Sequence, residues 1–205
     1  MFKKILPLVL ATSIPASCAY PTLSDIQAPP AVNEPVVGEV NPEKVVKIEV
    51  EEKKWKCPTC SPAEQYVLEQ LQEKTNIVDR NALATILGNI KSESNFHPNI
   101  CEGGARVPYD RCLRGGYGLI QWTSTGRYLG LGKFARKYDC DPSELKCQTR
   151  YMINEPIFQK YLPEFEGTGR PVRQYMVAAY YWLGWGIKGN RELYAYDYVK
   201  KFVFA

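Results

Sequence analysis

Beyond Ser61, apolar residues recur at three- and four-residue spacing in stretch after stretch, while runs that alternate apolar with polar residues are scarce. That period lines the apolar side chains along one helical face and leaves a sheet little to build on. The expectation is therefore a mainly α domain with little or no β-sheet. Ser61-Pro62-Ala63-Glu64 supplies a capping serine, a proline for the first helical position and a glutamate placed to return a capping-box bond. Tyr66, Val67, Leu68 and Leu71 then form one apolar face. Asp79 can cap a second helix carrying Ala82, Leu83, Ile86, Leu87 and Ile90. Further helices are expected around Thr125 to Lys137, Pro142 to Asn154 and Val172 to Trp185. The span 61–205, ~145 residues, suits a single domain. With 45% apolar and 12% aromatic residues, the chain can fill one core.

The first residues read differently. Lys3 and Lys4, the apolar run Ile5 to Ala11 and the small residues around Ser17, Cys18 and Ala19 have the layout of an export signal over residues 1–19. The run is too short to span a bilayer comfortably, so no stable membrane span is expected once it is removed. Ser17 and Ala19 fit cleavage after Ala19. Lipidation of Cys18 and retention as an uncleaved anchor are the alternatives, although Pro15-Ala16-Ser17-Cys18 lacks the usual leucine of a lipoprotein box. From Tyr20 to about Trp55 the chain is rich in Pro, Val, Glu and Lys, and residues 20–60 are assigned to a flexible linker. Val45 to Val50 alternates weakly and offers a short edge strand at most.

Loss or lipidation of Cys18 leaves six cysteines in close neighbours: Cys57 and Cys60, Cys101 and Cys112, Cys140 and Cys147. An even set in an exported chain reads as a disulfide framework. Six cysteines allow 15 pairings, of which three local bridges close the shortest loops. The competing zinc site begun by Cys57-Pro58-Thr59-Cys60 finds no second C-x-x-C, and His97 is the sole histidine. No metal or cofactor is expected. The formal net charge of +4 is scattered along the chain, which suits attraction to an anionic polymer better than nucleic-acid binding. A monomer is expected.

Along the second helix, Leu83, Ile86 and Ile90 step by three and four, and the next step lands on Glu93. A carboxylate thus continues an apolar stripe at the negative end of a helix, and both circumstances disfavour its charged form. A side chain so placed can keep a proton available for donation. The alternative is a half-exposed glutamate with its methylenes on the core and its head in water.

Two blocks bear on that choice: Ser92-Glu93-Ser94-Asn95-Phe96-His97-Pro98 and, after a loop, Gly115-Gly116-Tyr117-Gly118-Leu119-Ile120-Gln121-Trp122. Together they resemble the phage tail lysozymes and, more remotely, goose-type lysozyme and the soluble lytic transglycosylases. In those relatives a helix ends in Glu-Ser with an aromatic and a proline soon after, and a Gly-Leu-x-Gln segment floors a sugar groove. The match runs from about Asn81 to Arg127, and Gly88-Asn89-Ile90 and the pair Trp122 and Arg127 also fit the phage-type version. The resemblance implies a lysozyme-like helical fold acting on bacterial peptidoglycan. It implies cleavage of the β-1,4 bond between N-acetylmuramic acid and N-acetylglucosamine, with Glu93 as general acid and Ser94 orienting it. Tyr117, Gly118, Gln121 and Trp122 would line or support the sugar subsites. The loop from Asn99 to Arg114, holding Cys101 and Cys112, departs from the pattern as an insertion.

The residues have physical uses of their own. Gly115, Gly116 and Gly118 permit close backbone approach. Gln121 offers a donor and an acceptor, and Tyr117 a flat face for a pyranose ring. Trp122, beside Leu119 and Ile120, reads equally as core or contact. Tyr175, Tyr180, Tyr181, Trp182 and Trp185 are too many for one side of a helix, so some face outward, and Tyr181 is assigned to the groove. Asn190 and Arg191 after Gly189 are candidates for closing it, while His97 reads as structural or as part of the rim. A second catalytic group has no motif: Glu102 and Asp110 are the nearest carboxylates. Without either, Glu93 would act as acid and then base, leaving an anhydro product as lytic transglycosylases do. The remaining readings are a wall-binding or virion module without turnover and a disulfide-built protein-binding scaffold. Export points to the periplasm, the wall or the extracellular space, with association to a virion as a further possibility.

Overall fold

The computed structural model describes residues 54–205. The signal over 1–19, most of the linker and the strand considered for Val45 to Val50 lie outside the described residues. The described part contains seven helices: α1 (Pro62–Lys74), α2 (Arg80–Ser94), α3 (Thr125–Tyr138), α4 (Leu145–Asn154), α5 (Pro156–Phe165), α6 (Val172–Leu183) and α7 (Arg191–Lys201). A 3-10 turn covers Tyr109–Arg111, and the one sheet among the described residues pairs β1 (Trp55–Lys56) antiparallel with β2 (Val203–Phe204). The fold is mainly α, as the periodicity requires.

The start signals operate as expected. At α1, Ser61 Oγ accepts from the Glu64 N–H and Glu64 Oε2 accepts from the Ser61 N–H at 2.6 Å, with Pro62 opening the helix. At α2, Asp79 Oδ1 accepts from the amides of Asn81 and Ala82. Other boundaries move for local reasons. α4 starts at Leu145 instead of Pro142, because Asp141 Oδ1 accepts from the Ser143 N–H and closes a turn there. α6 stops at Leu183, short of Trp185, where Gly184 takes a left-handed conformation at φ 72°. The folded part also reaches back to Lys54, upstream of Ser61: Trp55 faces Phe204 across the small sheet and Cys57 is buried.

α2 is the axis of the domain. Every residue from Ala82 to Ile90 is buried, the condition of a helix enclosed on all sides. It packs on α1, α6 and, most extensively, α7. Gly88 makes the last contact possible. A Cβ there would stand 2.8 Å from both Ala195 Cα and Arg191 O, so the two backbones meet where only glycine fits.

Two buried carboxylates tie the helices together. Glu155, 1% exposed between α4 and α5, accepts from Trp122 Nε1 at 3.2 Å and Trp182 Nε1 at 3.1 Å, and pairs with Arg127 through Nε at 3.0 Å and Nη2 at 2.5 Å. Glu64 joins α1 to α2 and α7 by an ion pair with Lys91 at 3.3 Å and a hydrogen bond from the Tyr198 hydroxyl. Burial pushes the Glu64 carboxyl up, but the bonds from Tyr198 and Ser61, with Lys91 beside it, outweigh that and hold it below its ordinary 4.5. Three local disulfides, Cys57–Cys60, Cys101–Cys112 and Cys140–Cys147, staple the loops. No described helix is long and apolar enough to cross a membrane.

Candidate active site

The end of α2 turns sharply. Asn95 caps it in the left-handed region at φ 49°, and Phe96 follows at φ 62° with its ring buried against Tyr198. Two successive left-handed residues are costly in ordinary backbone and persist where surrounding contacts fix them. Here the contacts come from the second block: Ser94 Oγ donates to Leu119 O at 2.7 Å, so the helix end is bonded to the glycine-rich segment. Gln148 on α4 completes the clasp. Its Oε1 accepts from the Leu119 N–H at 2.7 Å, and its Nε2 donates to Pro98 O at 2.7 Å and Pro142 O at 2.6 Å. One buried amide thus bridges both blocks, and Gly118 at φ 72° is needed because a side chain there would overlap it.

The junction forms one wall of a groove of about 920 Å³, whose lining includes Glu93, Glu102, Gln121, Arg127, Tyr181 and Arg191. Glu93 stands on the last turn of α2 with its side chain 14% exposed, so it is neither sunk in apolar surroundings nor free in water. Its Oε1 accepts from Arg191 Nη2 at 2.6 Å. Arg191 is itself fixed: Nη1 donates to Ile187 O at 2.8 Å and Lys188 O at 2.9 Å, and its guanidinium lies 5.0 Å from the Trp185 ring centre. Glu93 carries the apolar stripe of α2 to the groove, but not into the apolar recess expected there. The group it meets is a guanidinium brought 98 residues along the chain by α7.

Glu102 lines the same groove and accepts from the Gly116 N–H at 2.8 Å. Asp110 does not; it lies on another face near Leu113 and Leu129. Gln121 is in the groove with a positive φ of 51°, its amide donating to Gly118 O and Ile100 O. Tyr181 is exposed on the groove side and stacks on Tyr161 with ring centres 5.8 Å apart.

Three residues of the two blocks lie buried behind the groove. Ser94 is buried on Leu119. Tyr117 is fully buried, its hydroxyl donating to Val107 O and its ring set edge-on to Tyr109 and Tyr128. Trp122 is fully buried on Glu155. Of the later aromatics, Tyr175 and Trp182 are core, while Tyr180 and Tyr181 face outward. Asn190 is exposed at the start of α7, outside the groove lining. His97 is half-buried outside it too, and burial, with Arg106 nearby, holds the imidazole below its ordinary 6.5.

The sequence reading passed over Gln148 and Glu155. Gln148 sits on α4 between buried neighbours, which was an available signal, whereas Glu155 stands alone between two helices with exposed residues on either side and gave none. The groove thus holds one carboxylate on an arginine, a second carboxylate on a backbone amide and an aromatic flank, which suits proton transfer to a polar ligand with a flat apolar face. No curated protein and no solved structure matches the chain. A family model described as phage tail lysozyme matches residues 63–202, which takes in α2, both blocks of the groove and α7, and the chain belongs to that family.

Proposed function

We propose that the protein is a peptidoglycan hydrolase that cleaves the β-1,4 bond between N-acetylmuramic acid and N-acetylglucosamine, with Glu93 as general acid. The observation that carries the reading is the position of Glu93: at a helix end, on a wide groove, anchored by Arg191 and facing an aromatic flank. A glycan bound there rests its ring faces on Tyr181 and its polar edges on Gln121. Glu93 protonates the bridging oxygen as the bond breaks. Glu102, as the second carboxylate in the groove, activates water for attack on the anomeric carbon. Three disulfides and the family suit action outside the cytoplasm, in the wall or on a virion.

A specific observation favours a second reading, lytic transglycosylation. Glu102 spends one oxygen on the Gly116 amide, and if it takes no part in turnover the substrate's own hydroxyl closes an anhydro ring instead. Clearing of purified cell walls tests the common core. Glu93→Gln keeps the shape and removes the transferable proton, and activity should fall by roughly 10²–10⁴-fold, the usual contribution of a general acid. Clearing at the wild-type rate would remove Glu93 from the mechanism. Loss in Glu102→Gln as well supports hydrolysis, whereas full activity there supports the anhydro route.

A further inference from the structure

The Glu93–Arg191 pair poses a chemical question: a general acid must deliver a proton, yet Glu93 Oε1 accepts from a guanidinium at 2.6 Å, a contact that is strongest with a carboxylate. The groove as it stands thus displays the arrangement that suits the acid after its proton has gone. We infer that Arg191 is a positioning residue that serves as counter-ion to Glu93 in the donation step. This rests on the reading of Glu93 as the acid. As the C–O bond breaks, its electron pair goes to the bridging oxygen, which takes the Glu93 proton. The electron pair of the O–H bond remains on Glu93, and the new carboxylate is received by Arg191 Nη2. Proton delivery is favoured because the charge it creates meets a donor already in place.

Arg191 is built for the task. It is 8% exposed, clamped by the carbonyls of Ile187 and Lys188 and laid against Trp185, so it cannot follow the carboxylate into solvent. Its Nε has no partner among the described residues. An arginine kept only for stability would be expected to have its donors satisfied. The other charges around Glu93 are committed or distant in role. From α3, Arg127 is bound to Glu155, and from the loop after α2, Glu102 is on Gly116. On α2 itself, Lys91 pairs with Glu64, and beside Arg191, Lys188 pairs with Glu192. Arg191 is therefore the cation bonded to Glu93.

The test is the pH–rate profile on soluble peptidoglycan glycan fragments for wild type, Arg191→Gln, Arg191→Lys, Glu93→Gln and the Arg191→Gln/Glu93→Gln pair. Loss of one charge-assisted bond to the developing carboxylate should lower kcat about ten- to a hundredfold with KM unchanged. Without its cation the carboxyl keeps its proton more readily, so the alkaline limb should move to higher pH by about one unit. Arg191→Lys should lie between, and in the Glu93→Gln background the arginine change should cost nothing further. An alkaline limb superimposed on wild type, or a loss confined to KM, overturns the inference. Should Arg191→Gln fail to fold, Arg191→Met carries the test, since it keeps an apolar stem against Trp185 without the charge, and an unmoved limb is again fatal. A fully active Glu93→Gln would defeat the acid assignment itself, a distinct outcome.

Discussion

Glu155 gives the sharpest test of how the fold supports the groove. It is 1% exposed and accepts hydrogen bonds from Trp122, Trp182 and twice from Arg127. Glu155→Ala removes the acceptor and leaves two indole N–H groups and a guanidinium behind. Orphaned buried donors cost about 1–3 kcal/mol each, but Arg127 keeps a 22% exposed side chain and can turn toward water, so the sum is discounted to about 3–5 kcal/mol, as for breaking a buried pair. In a domain of this size that lowers the melting temperature by roughly 6–20 °C. Urea unfolding followed by tryptophan fluorescence measures the loss, because Trp122 and Trp182 report on the site. Glu164→Ala is the control: its carboxylate is 56% exposed on Arg170, and its loss should change stability by no more than about 0.5 kcal/mol. In the Glu155→Ala background, Trp122→Phe should cost less than in wild type, since its N–H has already lost its partner and only the lost packing remains. If Glu155→Ala and Glu164→Ala are equally mild, the buried carboxylate is not what binds these helices.

Other outcomes follow from the same packing. Gly88→Ala puts a methyl group against the α7 backbone and should cost about 1–3 kcal/mol by denaturant unfolding, with wall clearing reduced further because Arg191 moves with α7. Glu64 has its carboxyl held below 4.5 in the folded state, so its contribution is fully present above that value and is lost as pH falls through the lower folded one; comparing the acid stability of wild type and Glu64→Gln below pH 4.5 should show the variant losing less on acidification. Replacing both Cys101 and Cys112 by serine opens a loop of separation 11 and should cost about 3 kcal/mol in thermal unfolding, leaving the other two bridges intact by mass after alkylation.

Much of the fold was legible because its signals are local. Ser61 with Glu64, and Asp79 before Asn81, name their helices in a few residues, and the three-four spacing through Ile90 delivers Glu93 to the groove. What stayed hidden depends on partners distant in sequence. Arg191 acquires its role only when α7 meets α2 at Gly88, and Gln148 only when its amide reaches both Pro98 and Leu119. α5 was missed because Glu155 alone separates it from α4, and α7 because its charged and aromatic residues blur the apolar period. For Tyr117 and Trp122 the motif left lining and support both open, because a motif does not say which side of the chain faces the groove. Their rings turn inward and hold its floor from behind.

The most direct measurement of the central claim is mass spectrometry of the fragments released from purified sacculi by the wild-type protein and by Glu93→Gln. The account predicts disaccharide-containing muropeptides with N-acetylmuramic acid at the newly formed end from wild type, in its reducing or anhydro form, and none from the variant. Fragments ending in N-acetylglucosamine, cuts confined to the peptide stems, or the same products from Glu93→Gln would contradict it.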